Sequence, residues 1–134
     1  MQLRTFLNDL SAWSESRSDV LGLALVGSHA RGAARPCSDV DVIVLCEDPL
    51  KLADSDGWIA RFGDPLKKMT ETYGVVRVVR VFYGGGLEVE FGLSPVDWAD
   101  VPLDAGTRRV ISEGMRILYD PKGLLRSAEI AAAA

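Results

Sequence analysis

Asp39 and Asp41 stand two apart at the head of a run, Ser38 to Cys46, that is otherwise apolar from Val40 onward. Side chains two apart on a strand project from the same face, so an extended segment here sets two carboxylates side by side. Two such charges raise each other's pKa unless a cation sits between them. A hard divalent ion with oxygen ligands, such as Mg2+, suits that place. Upstream, an apolar run over residues 21–26 stops at Gly27-Ser28. Where a strand gives way to a helix, free backbone N–H groups and the helix dipole favour an anion such as phosphate. Gly27 permits close backbone approach, and Ser28 adds a hydroxyl donor. A phosphate cradle leading into a metal-binding acid pair points to phosphoryl or nucleotidyl transfer. Further on, Glu88 and Glu90 share one face of another strand-like segment. If that segment pairs beside the Asp39 strand, one of the two completes a three-carboxylate cluster able to hold two metal ions.

The elements that must position these residues follow from hydrophobic spacing. Leu3, Phe6, Leu7, Leu10 and Trp13 recur at helical intervals, which predicts an amphipathic helix over residues 3–16. Residues 21–26 and 39–46 read as buried strands. Ser28 suits a helix N-cap, with a short helix over residues 30–34 ended by Arg35-Pro36. Ile59, Phe62, Leu66, Met69 and Tyr73 predict a helix over residues 58–73, which Gly63 and Pro65 would divide. Residues 75–83 and 87–93 flank Gly84-Gly85-Gly86 as a β-hairpin. Residues 107–114 and 115–119 read as a helix and a closing strand. The sum is an α/β or α+β fold with a mixed sheet of four or five strands and flanking helices. One domain over residues 1–130 is expected, and Ala131 to Ala134 read as a frayed or disordered tail.

Composition excludes several classes. A formal net charge of -4 over 134 residues opposes broad, sequence-independent binding to nucleic acid, which needs a basic footprint. No stretch approaches the roughly 20 apolar residues needed to cross a bilayer, and the N-terminal segment carries charges where a signal peptide needs an apolar run. A cytoplasmic protein is expected. Cys37 and Cys46 offer neither a second pair nor a Cys-x-x-Cys spacing, so both read as ordinary reduced thiols.

Several polar and aromatic residues have competing roles. Arg31 and Ser38 either contact phosphate or face solvent. His29, the single histidine, reads as an exposed or packing residue rather than a general base. Arg77 and Arg80 fall on opposite faces of their strand, where a structural ion pair with Glu88 competes with phosphate binding. Trp13, Trp58 and Trp98 read as packing residues.

The run Gly27-Ser28-His29-Ala30-Arg31-Gly32, followed by Ser38-Asp39-Val40-Asp41-Val42, resembles the signature of the DNA polymerase β-like nucleotidyltransferase superfamily. Within it, the sequence is most similar to the minimal nucleotidyltransferases, which include MNT-type antitoxins, and to the core of antibiotic nucleotidyltransferases. The resemblance covers roughly residues 20–95, and residues 109–125 also look like the family. It implies the nucleotidyltransferase fold and transfer of a nucleoside monophosphate from an NTP, with ATP the first guess, to a hydroxyl on a protein or small molecule. It also implies that Asp39, Asp41 and Glu90 form the catalytic and metal-binding triad, that two Mg2+ ions (or Mn2+) serve as cofactors, and that Gly27, Ser28, Arg31 and Ser38 bind nucleotide. Glu90, followed by Phe91, matches the position of the family's third acid, where many members have aspartate, and Glu88 competes for it. As partners the resemblance implies a HEPN-type helical protein, in a toxin-antitoxin setting, against which a homodimer is the alternative. The segment after Pro95 is too short for a separate helical substrate domain, so the acceptor is expected in an open cleft or from another chain.

Overall fold

The computed structural model describes residues 3–35 and 38–134. Helix α1 (Leu3–Glu15) leads to strand β1 (Val20–Val26), a single helical turn α2 (Gly27–Ala30) and strand β2 (Val40–Cys46). A short helix α3 (Pro49–Asp54) follows, capped by the Asp48 carboxylate, which accepts from the Lys51 N–H. A 3-10 turn (Ile59–Phe62) leads into β3 (Pro65–Tyr73), β4 (Val76–Tyr83) and β5 (Glu88–Ser94). A second 3-10 turn (Val96–Ala99), α4 (Ala105–Ser112), β6 (Met115–Tyr119) and α5 (Leu124–Ala133) complete the order.

The strands form one six-stranded sheet in the order β3-β4-β5-β2-β1-β6. Only β2 and β5 run parallel; all other neighbours are antiparallel. Because pairing is in register, residues opposite one another share a face. Asp41 lies opposite Glu90, Glu90 opposite Arg80, and Arg80 opposite Met69, so one row crosses the sheet from its centre to the β3 edge.

Alternation along the strands builds two different faces. On one, Val40, Val42, Val44, Val79, Val81, Phe91 and Leu93 pack against α1, α3 and the first 3-10 turn. Phe6, Phe62, Phe91, Trp13 and Trp58 form the aromatic centre, with Trp13 stacked on Trp58 at 5.1 Å and Trp58 edge-on to Phe91 at 4.8 Å. Trp13 and Trp58 are thus packing residues, as expected, and Trp98 packs at the margin of the other core. On the opposite face Ala24, Val26, Ile43 and Leu45 are covered by α4 and α5. On the same face Gly92 and Ser94 of β5 are still buried, whereas Val78 and Arg80 of β4 are half-buried and Lys67, Met69 and Glu71 of β3 are exposed.

The sequence reading needs correction in four places. The sheet has six strands, because residues expected in a second half of a helix over 58–73 form β3 instead. Leu66, Met69 and Tyr73 fit helical spacing only by coincidence: all three are exposed, so no core selects their period. Gly63, at φ 153°, ends the 3-10 turn before Pro65 starts the strand. The helix expected over residues 30–34 with Ser28 as cap instead begins at Gly27, with Val26 in the cap position and no side-chain capping bond. It ends early because Gly32 adopts φ 72° and the Ala33 N–H donates back to the Ser28 carbonyl at 2.9 Å, closing a Schellman turn. Helix α3 was not expected, nor was α5, in whose last turn Ala131 to Ala133 lie. Cys46 is buried, its thiol pushed up to about 12 by burial, and Cys37 lies outside the described residues. No helix among the described residues is long and apolar enough to cross a membrane.

Candidate active site

Three carboxylates converge where β2 and β5 run side by side. Asp39, Asp41 and Glu90 each offer one oxygen, and these oxygens lie within 4.8 Å of one another. The parallel register does this, since it places Glu90 directly across from Asp41, and alternation places Asp39 on the same face. All three are half-buried. One Asp41 oxygen, Oδ1, is fully buried and has no hydrogen-bond partner. Burial, and then the charge of Asp39, push the Asp41 carboxyl up to about 6, against a smaller opposing pull from Arg80, His29 and Arg31. An orphaned carboxylate oxygen beside two further acids is the donor set of a hard divalent cation, and the residues present fit Mg2+.

Glu88 and Glu90 are separated by what holds them. Arg80, opposite Glu90 on β4, donates from Nη2 to the Glu90 carboxylate and lies 3.9 Å from Glu88 through Nη1. Only Glu90 joins the aspartates in the cluster among the described residues. The ion pair that the sequence assigned to Glu88 is therefore made mainly with Glu90. Arg77 is turned away and donates to the Gly74 carbonyl at 2.7 Å.

The turn after β1 stands over the same place. Gly27 has φ 72°, and a Cβ there would collide with the Asp41 carboxylate, so this backbone approaches the acids as only glycine can. Helix α2 is one turn long, which makes its macrodipole small; the free N–H groups of that turn are its contribution. Ser28 is half-buried and Arg31 exposed. The Ser38 hydroxyl accepts from the Arg35 N–H at 2.8 Å, leaving its own proton free to donate. His29 Nε2 lies 3.4 Å from the Ser38 carbonyl and so tethers α2 to the approach of β2. Beside the triad a cleft of about 270 Å³ has a mostly apolar floor that includes Val26, Ile43 and Val78, with Glu113, just past the end of α4, among its lining residues.

The nucleotidyltransferase domain family matches residues 2–82, and the chain belongs to it. The matched stretch contains Gly27, Ser28, Asp39 and Asp41 and stops short of Glu90, which the sheet register supplies. No curated protein matches the chain. Among solved structures, an aminoglycoside 6-adenyltransferase from Bacillus subtilis superposes with a TM-score of 0.55 at 14% identity, over 72% of this chain and 37% of that one. A cytoplasmic RNA terminal U-transferase gives 0.51 at 22% identity, over 67% of this chain and 28% of that one. A CCA-adding enzyme in complex with CTP gives 0.53 at 17% identity, over 96% of this chain and 32% of that one. At these identities the likeness is one of fold. The chain spans about a third of the length of these structures.

Proposed function

We propose that this chain transfers a nucleoside monophosphate from an NTP, ATP being the first donor to test, to a hydroxyl acceptor. The observation that carries this reading is the convergence of Asp39, Asp41 and Glu90 around the unpartnered Asp41 Oδ1. Asp39 and Asp41 would hold two Mg2+ ions, with Glu90 completing one of the sites. When bound, such ions polarise the phosphoryl oxygens and stabilise charge on the attacking and leaving oxygens.

The chain's own groups supply the rest. The N–H groups of the Gly27 turn and the Ser28 hydroxyl cradle the triphosphate, with Arg31 and the Ser38 hydroxyl at its edge. Arg80 keeps the Glu90 carboxylate turned toward the aspartates. The acceptor enters from the uncovered half of the face and gives its hydroxyl proton to the Glu90 carboxylate. Its oxygen bonds to the α-phosphorus as the bond from that phosphorus to the bridging oxygen breaks, and pyrophosphate leaves.

A second reading is favoured by the open face over β4 and β3. There a HEPN-type helical partner, as in the minimal nucleotidyltransferases, would dock, and the domain would act as an antitoxin mainly by binding it. Incubation with each α-labelled NTP and Mg2+ tests the first reading: label transferred by the wild type and lost in Asp39→Asn supports it. Tight binding to such a partner with no transfer, unchanged in Asp39→Asn, overturns it in favour of the second.

A further inference from the structure

Strand β3 is nine residues long, forms one edge of the sheet, and pairs only with β4. Half of its backbone N–H and C=O groups therefore point outward without a strand partner, an arrangement that invites pairing with another chain. Its side chains do not guard that edge. Leu66, Met69 and Tyr73 are 68%, 42% and 60% exposed. Lys68 is bent back onto its own chain, donating to the Ala53 carbonyl at 2.7 Å, and the Lys67 ammonium lies over the Phe82 ring at 5.8 Å.

The order of charges along the strand selects an occupant. Beyond the bulge between Pro65 and Lys67, in an antiparallel pair of two β3 strands, a two-fold axis at Met69 places Met69 opposite its own copy, Lys67 opposite Glu71 and Lys68 opposite Thr70. Both Lys67–Glu71 pairs are then of opposite charge. A centre at Lys68 sets two lysines against each other, and a centre at Thr70 leaves Lys67 facing Tyr73. Cross-strand charge pairs and like-charge clashes each weigh roughly 0.2–1 kcal/mol, and they act here in the same direction at two symmetric positions.

We propose that β3 is a homodimer interface, at which two copies join edge to edge with Met69 on the axis and Lys67 against Glu71 of the other copy. An axis normal to the sheet keeps the faces aligned, so a twelve-stranded sheet results with both acid triads opening on one side. Met69 lies in the same row as Asp41, seven strand spacings separate the two aspartates, and at about 4.8 Å each the sites stand roughly 30–35 Å apart. This inference rests on the edge alone and is independent of the catalytic reading.

Sedimentation of the whole chain tests it. The wild type is expected to be dimeric at roughly tens of micromolar, the regime of a modest interface. Lys67→Glu and Glu71→Lys should each weaken the dimer by roughly ten- to hundredfold, since both symmetric pairs turn repulsive. An equimolar mixture of the two variants should dimerise again, because every contact between unlike chains then pairs opposite charges; this recovery shows that both variants are folded. A monomeric wild type, a dimer insensitive to both substitutions, or a mixture that stays monomeric would overturn the proposal.

Discussion

The two faces of the central sheet are built by the same strands, one residue out of phase, and they solve opposite problems. On β2, Val40, Val42 and Val44 enter an aromatic core in which every large side chain is surrounded, whereas Asp41, between them, faces a cleft with one oxygen unpartnered. On β5 the alternation repeats, with Val89, Phe91 and Leu93 in the core and Glu90 in the cleft. The two buried side-chain atoms without a partner among the described residues, Asp41 Oδ1 and Arg80 Nε, belong to residues of a single row on the cleft face. One face stabilises the domain; the other keeps an electrostatic cost in place that a cation would relieve.

Exchanging the properties of the two faces should have the largest effect on the cleft side. Asp41→Asn removes the central ligand, and NTP-dependent transfer should fall by roughly 10³-fold or more. Metal-supported NTP binding should vanish by calorimetry, while the metal-free domain becomes more stable at neutral pH. Wild-type-like titrations of Mg2+ and NTP in this variant would sink the assignment. The opposite exchange acts through stability. Phe91→Ala empties the centre of the aromatic cluster and should cost about 3–5 kcal/mol in urea unfolding, with metal affinity retained at low temperature where the domain stays folded. A loss of metal affinity without loss of stability would mean that the faces are not separable.

How far the sequence could be read follows the same division. Elements packed into a core were legible: α1, β1, β2, β4 and β5 show the spacing or the apolar runs their cores impose, and the acids stood out because Asp39 and Asp41 interrupt a strand that burial otherwise keeps apolar. The strand that was misread, β3, has no buried residue, so no environment imposes a period on it. Strand alternation alone could not choose between Glu88 and Glu90, since both fall on one face of β5, and only the resemblance favoured Glu90. Pairing register and the reach of Arg80 separate them. Helix α2 was placed three residues too late because the Schellman turn at Gly32 is set by backbone hydrogen bonds, whereas Ser28 looks like a cap from its residue type alone.

Gly27 joins the two sides of the comparison, since it ends a core strand and opens the cleft. Gly27→Ala puts a side chain at φ 72° and drives its Cβ into the Asp41 carboxylate. A cost of about 1–3 kcal/mol in thermal or urea unfolding is expected, together with weakened metal binding as Asp41 is displaced. The change Gly32→Ala, at the same φ but with open space around it, should show the backbone strain alone and leave the metal titration unaltered. Equal losses of metal affinity in both variants would remove the argument that close approach to Asp41 is what requires glycine at position 27.

The smallest effect is the pH dependence of the metal-free fold. Burial first, and the charge of Asp39 second, raise the Asp41 carboxyl from 3.8 to about 6. Between those values the folded chain holds a proton that the unfolded chain has released, so stability falls as pH rises from about 4 to about 6 and levels off above. Asp19, held low by its hydrogen bond and ion pair with Arg17, acts with the opposite sign but below pH 4, outside this window. Solvent in the open cleft screens much of the burial cost, and about 1 kcal/mol is expected across the window. Urea titrations at a series of pH values on wild type and Asp41→Asn isolate this contribution, because the variant lacks the titrating group and its stability curve should lack that fall. Added Mg2+ should reverse the slope in the wild type, since cation and proton compete for the same oxygens, and leave the variant unmoved. Parallel pH curves for the two proteins would show that Asp41 carries no such strain, and the contrast between the two faces would then be one of shape rather than charge.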